Sequence, residues 1–316
     1  MAFASASGFS GLENSPLARI GYYNKIIATG WDKEFLPYIT NTSIDGKLTM
    51  CNQVIQFTKQ PRSGDWRPYE KNQELVADFS SPDAFVMQIC NAAYKVLKFD
   101  QLDIARLCDR WAQYEEYLLK DAYETLAKLW RQWVLEAMIL EASGQNKGAN
   151  AGCHSNINLG APNAPIKITS ENIHRELAKI QRVLKEAGRW VDDEMFIMLP
   201  SAIMETIVDS KYASAFDMGN CGSNNCSILV TGMMPGKVMG FNVFVVDCIP
   251  QVIDASGALT YFVIAGNKEG FAFAGDLVQG DLVQPAGYFG VHYRMLAVWG
   301  GKAIYPDALA VGYWTF

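Results

Sequence analysis

Residues 100–143 read DQLDIARLCDRWAQYEEYLLKDAYETLAKLWRQWVLEAMILEAS. The stretch holds neither glycine nor proline, and Ala, Leu, Glu, Lys, Arg and Gln dominate it, so it predicts one long helix. Asp100 or Asp103 can cap its start, and Gly144 can close its end. Ile104, Leu107, Cys108, Trp111, Leu118, Ala122, Leu126, Leu129, Trp133, Ala137 and Leu140 share one face at helical spacing, with Glu115 interrupting them. Ala127, Trp130, Val134, Met138 and Ile139 lie off that face, so the C-terminal half should be covered on several sides. Unbroken, such a helix is roughly 65 Å long. A compact chain of this length is about 50 Å across. Either the helix breaks near Tyr117–Asp121, or it runs unbroken through an elongated, plate-like molecule, which is the expectation here.

Working outward toward the N-terminus, Ala84–Lys98 (AFVMQICNAAYKVLK) alternates as a long strand leading into the helix, and Lys47–Lys59 reads as another strand. Between them, Pro61-Arg62-Ser63-Gly64-Asp65 is a turn cluster, and Trp66–Asp78 is a weakly extended return whose Pro68 suits an edge position. This excursion has little apolar content, and two strands with a polar return do not hold themselves together in water. Its tip residues Arg62, Trp66, Arg67, Tyr69 and Glu70 are therefore candidate contacts to another protein surface, being aromatic or able to pair charges. Base stacking by Trp66, Arg67 and Tyr69 is disfavoured because no basic field surrounds them. Residues 1–14 read as a small, polar, extended arm. Ser15-Pro16 starts a short helix ending near Thr29.

Downstream, Gln145–Pro165 is a Gly/Asn/Ala loop. A second helix is expected over Ile166–Gly188, capped at Thr169 or Ser170, with Ile173, Leu177, Ile180, Val183 and Leu184 as its apolar face. Met195–Leu199 is a short buried strand, and Ser201 caps a helix to about Asp209. Tyr212–Ser227 is a loop. From Ile228 the chain is mostly strand, including Val238–Val246, Thr260–Ala265, Phe271–Phe273, Asp276–Val283, Tyr293–Trp299, Ala303–Ile304 and Ala308–Tyr313. The simplest reading is one α+β body with two arms.

Half of the 316 residues are hydrophobic and 19% are charged, which suits a folded protein. The net charge of -6 argues against a protein that grips nucleic acid through a basic face, though not against a surface that merely faces DNA. No apolar run predicts a membrane span, and the first residues lack the pattern of a signal peptide. Seven scattered cysteines, an odd number, read as reduced thiols in a cytoplasmic setting.

No stretch assembles an active site. Gly232-Met-Met-Pro-Gly236-Lys237 is one residue short of a phosphate loop and has Val238 where Ser or Thr belongs, so a turn between strands is the better reading. Cys153-His154 with Cys221 and Cys226 do not match zinc-ligand spacing. Asp192-Asp193-Glu194 lacks a partner histidine and reads as a solvated turn. The expectation is a protein that is not an enzyme and needs no cofactor or metal.

The order of segments resembles the major capsid proteins of tailed phages with the Hong Kong 97-type fold. AAYKVLKFDQLDIA (92–105) is similar to that family's passage from E-loop into spine helix. Residues 169–210, TSENIHRELAKIQRVLKEAGRWVDDEMFIMLPSAIMETIVDS, resemble its A-domain helix, strand and second helix. GMMPGKVMGFNVFVVDCIP (232–250), FAFAGDLVQGDLVQP (271–285) and YRMLAVWGGKAIYPDALAV (293–311) resemble the strands that follow. The resemblance implies an N-terminal arm over 1–45, an E-loop hairpin over 46–83 and a P-domain with spine helix over 84–165. It further implies an axial A-domain over 166–270, P-domain strands over 271–304 and a return to the A-domain over 305–316. It implies self-assembly through hexamers and pentamers into an icosahedral virion shell, built in the host cytoplasm around double-stranded DNA that is bound without sequence specificity. A portal, a separate scaffolding protein and a decoration protein are the further partners it implies; no membrane is among them. The arm before Pro16 is too short to serve as a cleaved internal scaffold. Lys71 and Asn72 lie in the hairpin, but no second crosslinking site can be named. Cys221 and Cys226 enclose a Gly-Ser-Asn-Asn loop that an oxidant could close. The alternatives are an encapsulin-like compartment shell and, from another class, a cysteine-dependent hydrolase.

Overall fold

The computed structural model describes residues 35–41, 54–58, 66–69, 71, 74, 84–101, 111–208, 237–246, 249–253, 257, 259–285 and 287–316. In chain order the elements are α1 (Leu36–Ile39), β1 (Val54–Thr58), β2 (Ala84–Gln88), β3 (Asn91–Asp100), α2 (Trp111–Glu141), β4 (Ile166–Lys167), α3 (Ile173–Glu186) and β5 (Met195–Pro200). They continue with α4 (Ile203–Val208), β6 (Lys237–Val238), β7 (Phe241–Val246), β8 (Gln251–Ile253), β9 (Leu259–Asn267), β10 (Phe271–Val283), β11 (Gly290–Ala303) and β12 (Leu309–Thr315). The arm over 1–14 and the short helix after Pro16 lie outside the described residues.

Helix α2 has 31 residues, about 46 Å, and passes through Tyr117–Asp121 without a break. Its buried stripe is Leu119, Ala122, Trp130, Val134, Leu135 and Met138, whereas Leu129 and Leu140 of the expected face are 42% and 78% exposed. The stripe is rotated because the C-terminal half is wedged between two sheets, so burial centres between the two apolar sides that the spacing suggested. Gly144 does not close the helix either. The helix ends at Glu141, and Ser143 caps a following 3-10 turn, its Oγ accepting from the Gln145 amide at 3.4 Å. Lys147 reaches back to the carbonyls of Ile139 and Leu140, donating at 3.4 Å to each.

One sheet has the order β4-β12-β9-β5-β7-β6, with β8 on the side of β9. Both of its faces are covered, and the strands alternate accordingly. Phe196, Met198, Phe262, Ile264, Val311 and Tyr313 pack with Trp130, Val134 and Met138 of α2 and with Phe271 and Phe273 of β10. Ile197, Leu199, Val263, Ala265, Ala310 and Trp314 pack on the opposite side against the apolar face of α3 and against Ala151, Ile157 and Leu159 of the 144–165 loop. This explains the unbroken apolar run of β5. Helix α3 starts at Ile173, seven residues later than its expected start at Ile166. Ile166 and Lys167 are taken up as a parallel strand beside Trp314 and Thr315, and sheet pairing there outweighs local helix propensity. The cap is Asn172, whose Oδ1 accepts from the Thr169 amide at 2.8 Å.

The second sheet is three-stranded, β10-β11-β3, all antiparallel. The sequence suggested breaks within what are the continuous strands β10 and β11. The glycines behind that expectation are close-packing points: a Cβ on Gly301 would stand 2.8 Å from the Phe271 ring. A break does occur where one strand was expected, at Ile89-Cys90. There the chain leaves β2, which pairs with β1, and enters β3, which pairs with β11. Ahead of both, Leu36 and Ile39 of α1 are fully buried, and Asn41 bridges to Ala272 of β10. This pins residues 35–41 into the core shared by α2 and the two sheets.

Candidate intersubunit surfaces

On one face of the three-stranded sheet Phe85, Met87 and Ile89 cover one end, packing on Ala272, Ala274 and Val298, and α2 covers the other face. Phe99, Tyr293 and Met295 meet Leu119 and Ala122 of α2 there, and Lys95 donates to Thr125 Oγ1 at 3.1 Å. On the face away from α2 stand Tyr94, 81% exposed, and Val96, 45% exposed, opposite Leu296 and Arg294 of β11. β3 ends the strand order, and an apolar groove of about 340 Å³ runs between it and α2, lined by Ala93, Tyr94, Leu126, Leu129 and Met295 among others. At the end of the sheet the β10–β11 turn presents Tyr288 and Phe289, the latter 91% exposed. The Lys98 ammonium sits 4.4 Å from the Tyr288 ring. β1 and β2 form an antiparallel pair, Val54 opposite Gln88 and Thr58 opposite Ala84. In the segment joining them, Trp66 is fully exposed and Tyr69 is 70% exposed, with Arg67 exposed between them. Arg62 and Glu70 lie outside the described residues. Sequence reasoning missed Tyr94, Leu129, Leu140 and Phe289. The signal for Tyr94 was in the strand itself, because β3 is apolar at both parities (Ala93, Leu97 and Phe99 against Tyr94 and Val96).

The candidate chemical groups do not converge. Cys90 and Cys153 are free thiols. The Cys153 thiol donates to the Glu186 carbonyl at 3.1 Å, not to an imidazole. The Glu186 carboxyl is held below its usual value by the hydrogen bond and charge of Arg182. Asp192, Asp193 and Glu194 are exposed; Asp192 accepts from the Trp190 indole at 2.8 Å, and Asp193 pairs with Lys237, which lowers its pKa. Burial lowers the pKa of His174. Among the described residues no group of three His, Cys, Asp or Glu could hold a metal ion, and no helix is long and apolar enough to cross a membrane. Cys221, Cys226 and residues 232–236 lie outside the described residues.

No protein-family model matches the chain, and no curated protein matches it. Solved structures do. One from Mycobacterium phage Che8 is 13% identical and superposes with a TM-score of 0.60 over 87% of this chain and 89% of that one. The mature capsid of bacteriophage PhiM1 is 12% identical, with a TM-score of 0.60 over 89% of this chain and 87% of that one. The capsid of cyanophage P-SCSP1u is 14% identical, with a TM-score of 0.58 over 89% and 88%. At these identities the likeness is one of fold: the chain has the mixed α+β fold of phage capsid structures of the Hong Kong 97 type.

Proposed function

We propose that this chain is the major capsid protein of a tailed phage, a subunit that assembles with copies of itself into an icosahedral shell around double-stranded DNA. The observation that carries the reading is a capsid fold whose three-stranded sheet and hairpin present uncovered apolar surface. Within it, residues 1–45 act as an arm, 46–83 as the E-loop hairpin, 84–165 with 271–304 as the P-domain, and 166–270 with 305–316 as the A-domain. The pairing of β1 with β2 and the separation of the two sheets support that division. Trp66, Arg67 and Tyr69, with Arg62 and Glu70, act as contacts to the neighbouring subunit, since so exposed an aromatic pair gains by burial. A separate scaffolding protein, a portal and a decoration protein complete the partners, and assembly takes place in the host cytoplasm. DNA is held by confinement and not by a basic inner wall, since the chain carries a net charge of -6.

Replacing residues 60–72 with a short Gly/Ser turn tests the reading. The subunit is expected to fold with near-normal unfolding and to fail at shell assembly. Shells of normal stability from the shortened protein would remove the hairpin from the interface. Micrographs of the parent protein separate the alternatives: a DNA-filled particle with a portal vertex is expected, and a closed, cargo-loaded shell would indicate a compartment protein instead.

A further inference from the structure

Among the described residues β3 ends the strand order of the three-stranded sheet. Its residues alternate between half-buried and exposed from Asn91 to Lys98. Ala93, Lys95 and Leu97 take the parity on the α2 side, and Tyr94, Val96 and Lys98 take the exposed one. Beside the strand runs the apolar groove, whose other wall is Leu126 and Leu129 of α2. An extended segment seated there continues the sheet with its backbone and places every second side chain in the groove. A helix would leave the N–H and C=O groups of the strand edge unused, so edge and groove together select a strand as occupant.

The charges on β3 add a sign. Lys95 is engaged by Asp121 at 3.8 Å and by Thr125 at 3.1 Å. Lys98 rests on the Tyr288 ring at 4.4 Å, and Asp100 is the one acid of the strand, at its end. The segment Glu74–Phe79 (ELVADF) matches this edge. Laid antiparallel with Glu74 across from Lys98, it brings Val76 opposite Val96 on the exposed face. Leu75, Ala77 and Phe79 then turn toward the groove, where Phe79 meets Ala93, a residue small enough to leave room for a ring. Opposite charges and apolar pairs facing each other across an antiparallel pair are stabilising. Glu74 is exposed, and residues 75–79 lie outside the described residues.

The subunit's own copy of this segment is badly placed for its own groove. Lys302 donates to the Val86 carbonyl at 3.3 Å and lies 5.0 Å over the Phe85 ring, so β2 begins beside Lys302. Ala93 pairs with Ala297, five residues away along β11. Ala84 therefore stands more than about 20 Å from Ala93. The five residues from Phe79 to Ala84 span at most about 18 Å.

We propose that residues 74–79 of a second copy of this chain add to the edge of β3 as an antiparallel strand, with Phe79 in the groove and Glu74 at Lys98. The inference rests on the shell reading for the hairpin's role between subunits, and it gives that hairpin a receiving surface and a register on its neighbour.

The test uses the intact subunit and a labelled peptide of residues 72–81 (NQELVADFSS), followed by fluorescence anisotropy. Saturable binding is expected. N-methylation of the peptide at Leu75 and Ala77, or at Val76 and Asp78, separates the two backbone parities. The set facing β3 should lose at least about tenfold in affinity, and the other should stay within about twofold. Lys98→Glu should weaken the parent peptide about fivefold, and a peptide carrying Glu74→Lys should recover binding to that variant. Leu129→Glu, in the groove wall, should also weaken binding. Both variants are at exposed positions, so their thermal unfolding should stay unchanged. No binding overturns the proposal. Equal loss from both methylated peptides also overturns it and reduces the contact to apolar adhesion. Tighter binding by a peptide of residues 1–12 would give the edge to the N-terminal arm instead. Because the measurement needs no shell, the two readings fail separately. Peptide binding as described with no shells from the parent protein sinks the shell reading alone, and normal shells from a subunit that takes no peptide sink the added strand alone.

Discussion

The two sheets of this molecule are built from similar material and finished differently. The seven-stranded sheet is apolar on both faces, and the subunit covers both, one with α2 and β10, the other with α3 and its loop. The three-stranded sheet is also apolar at both parities along β3, but α2 covers one face and β2 only the end of the other. Tyr94 and Val96 are left in solvent beside a groove at the sheet edge. Among the described residues the first sheet is covered on both faces and the β3 side of the second on one, and edge strands left open in that way are candidate sites of pairing with other chains.

Core substitution in each sheet sharpens this contrast most. Trp314→Ala removes a fully buried ring from the complete sheet and should cost about 3–5 kcal/mol in urea unfolding. Tyr94→Ala, on the open face, should stay within about 0.5 kcal/mol in the free subunit while lowering the yield of shells. If the two cost the same in the free subunit, the open face belongs to the subunit core and the comparison fails.

Gly160→Ala should have the next largest effect. Gly160 has φ +86°, and a Cβ there would stand 2.5 Å from the Tyr313 carbonyl, where the 144–165 loop crosses β12. Strain and clash together should lower stability by about 2–3 kcal/mol, read as a fall in Tm. A neutral outcome would mean that the loop is not locked onto the complete sheet.

The smallest effect is one of pH, with opposite signs in the two regions. Burial raises the Glu115 carboxyl, near the N-terminal end of α2, above its ordinary 4.5. Its ionised form is therefore penalised in the folded state. The penalty is full above the raised pKa and is relieved as pH falls through it toward 4.5. Glu186 is shifted the other way by Arg182, so it stabilises above 4.5 and that contribution is lost as pH falls through its depressed value. Glu115→Gln should raise stability at neutral pH and remove the gain on mild acidification. Urea midpoints at several pH values check this; an unchanged pH profile would show that Glu115 is solvated.

The sequence alone determined which segments become which elements wherever local signals agreed. The long helix followed from uninterrupted propensity over 111–141, the apolar face of α3 from helical spacing, and β5 from the run MFIML. The exposed hairpin aromatics followed from a stretch too poor in apolar residues to fold on itself. Cap positions, strand continuity through Gly275 and Gly300-Gly301, and the deeper side of α2 were decided only in the tertiary structure. Each of these depends on residues distant in sequence: Val311 beside Lys147, Phe271 against Gly301, two sheets against one helix. Periodicity reports that a residue has an apolar side, and only packing determines whether this chain or another covers it.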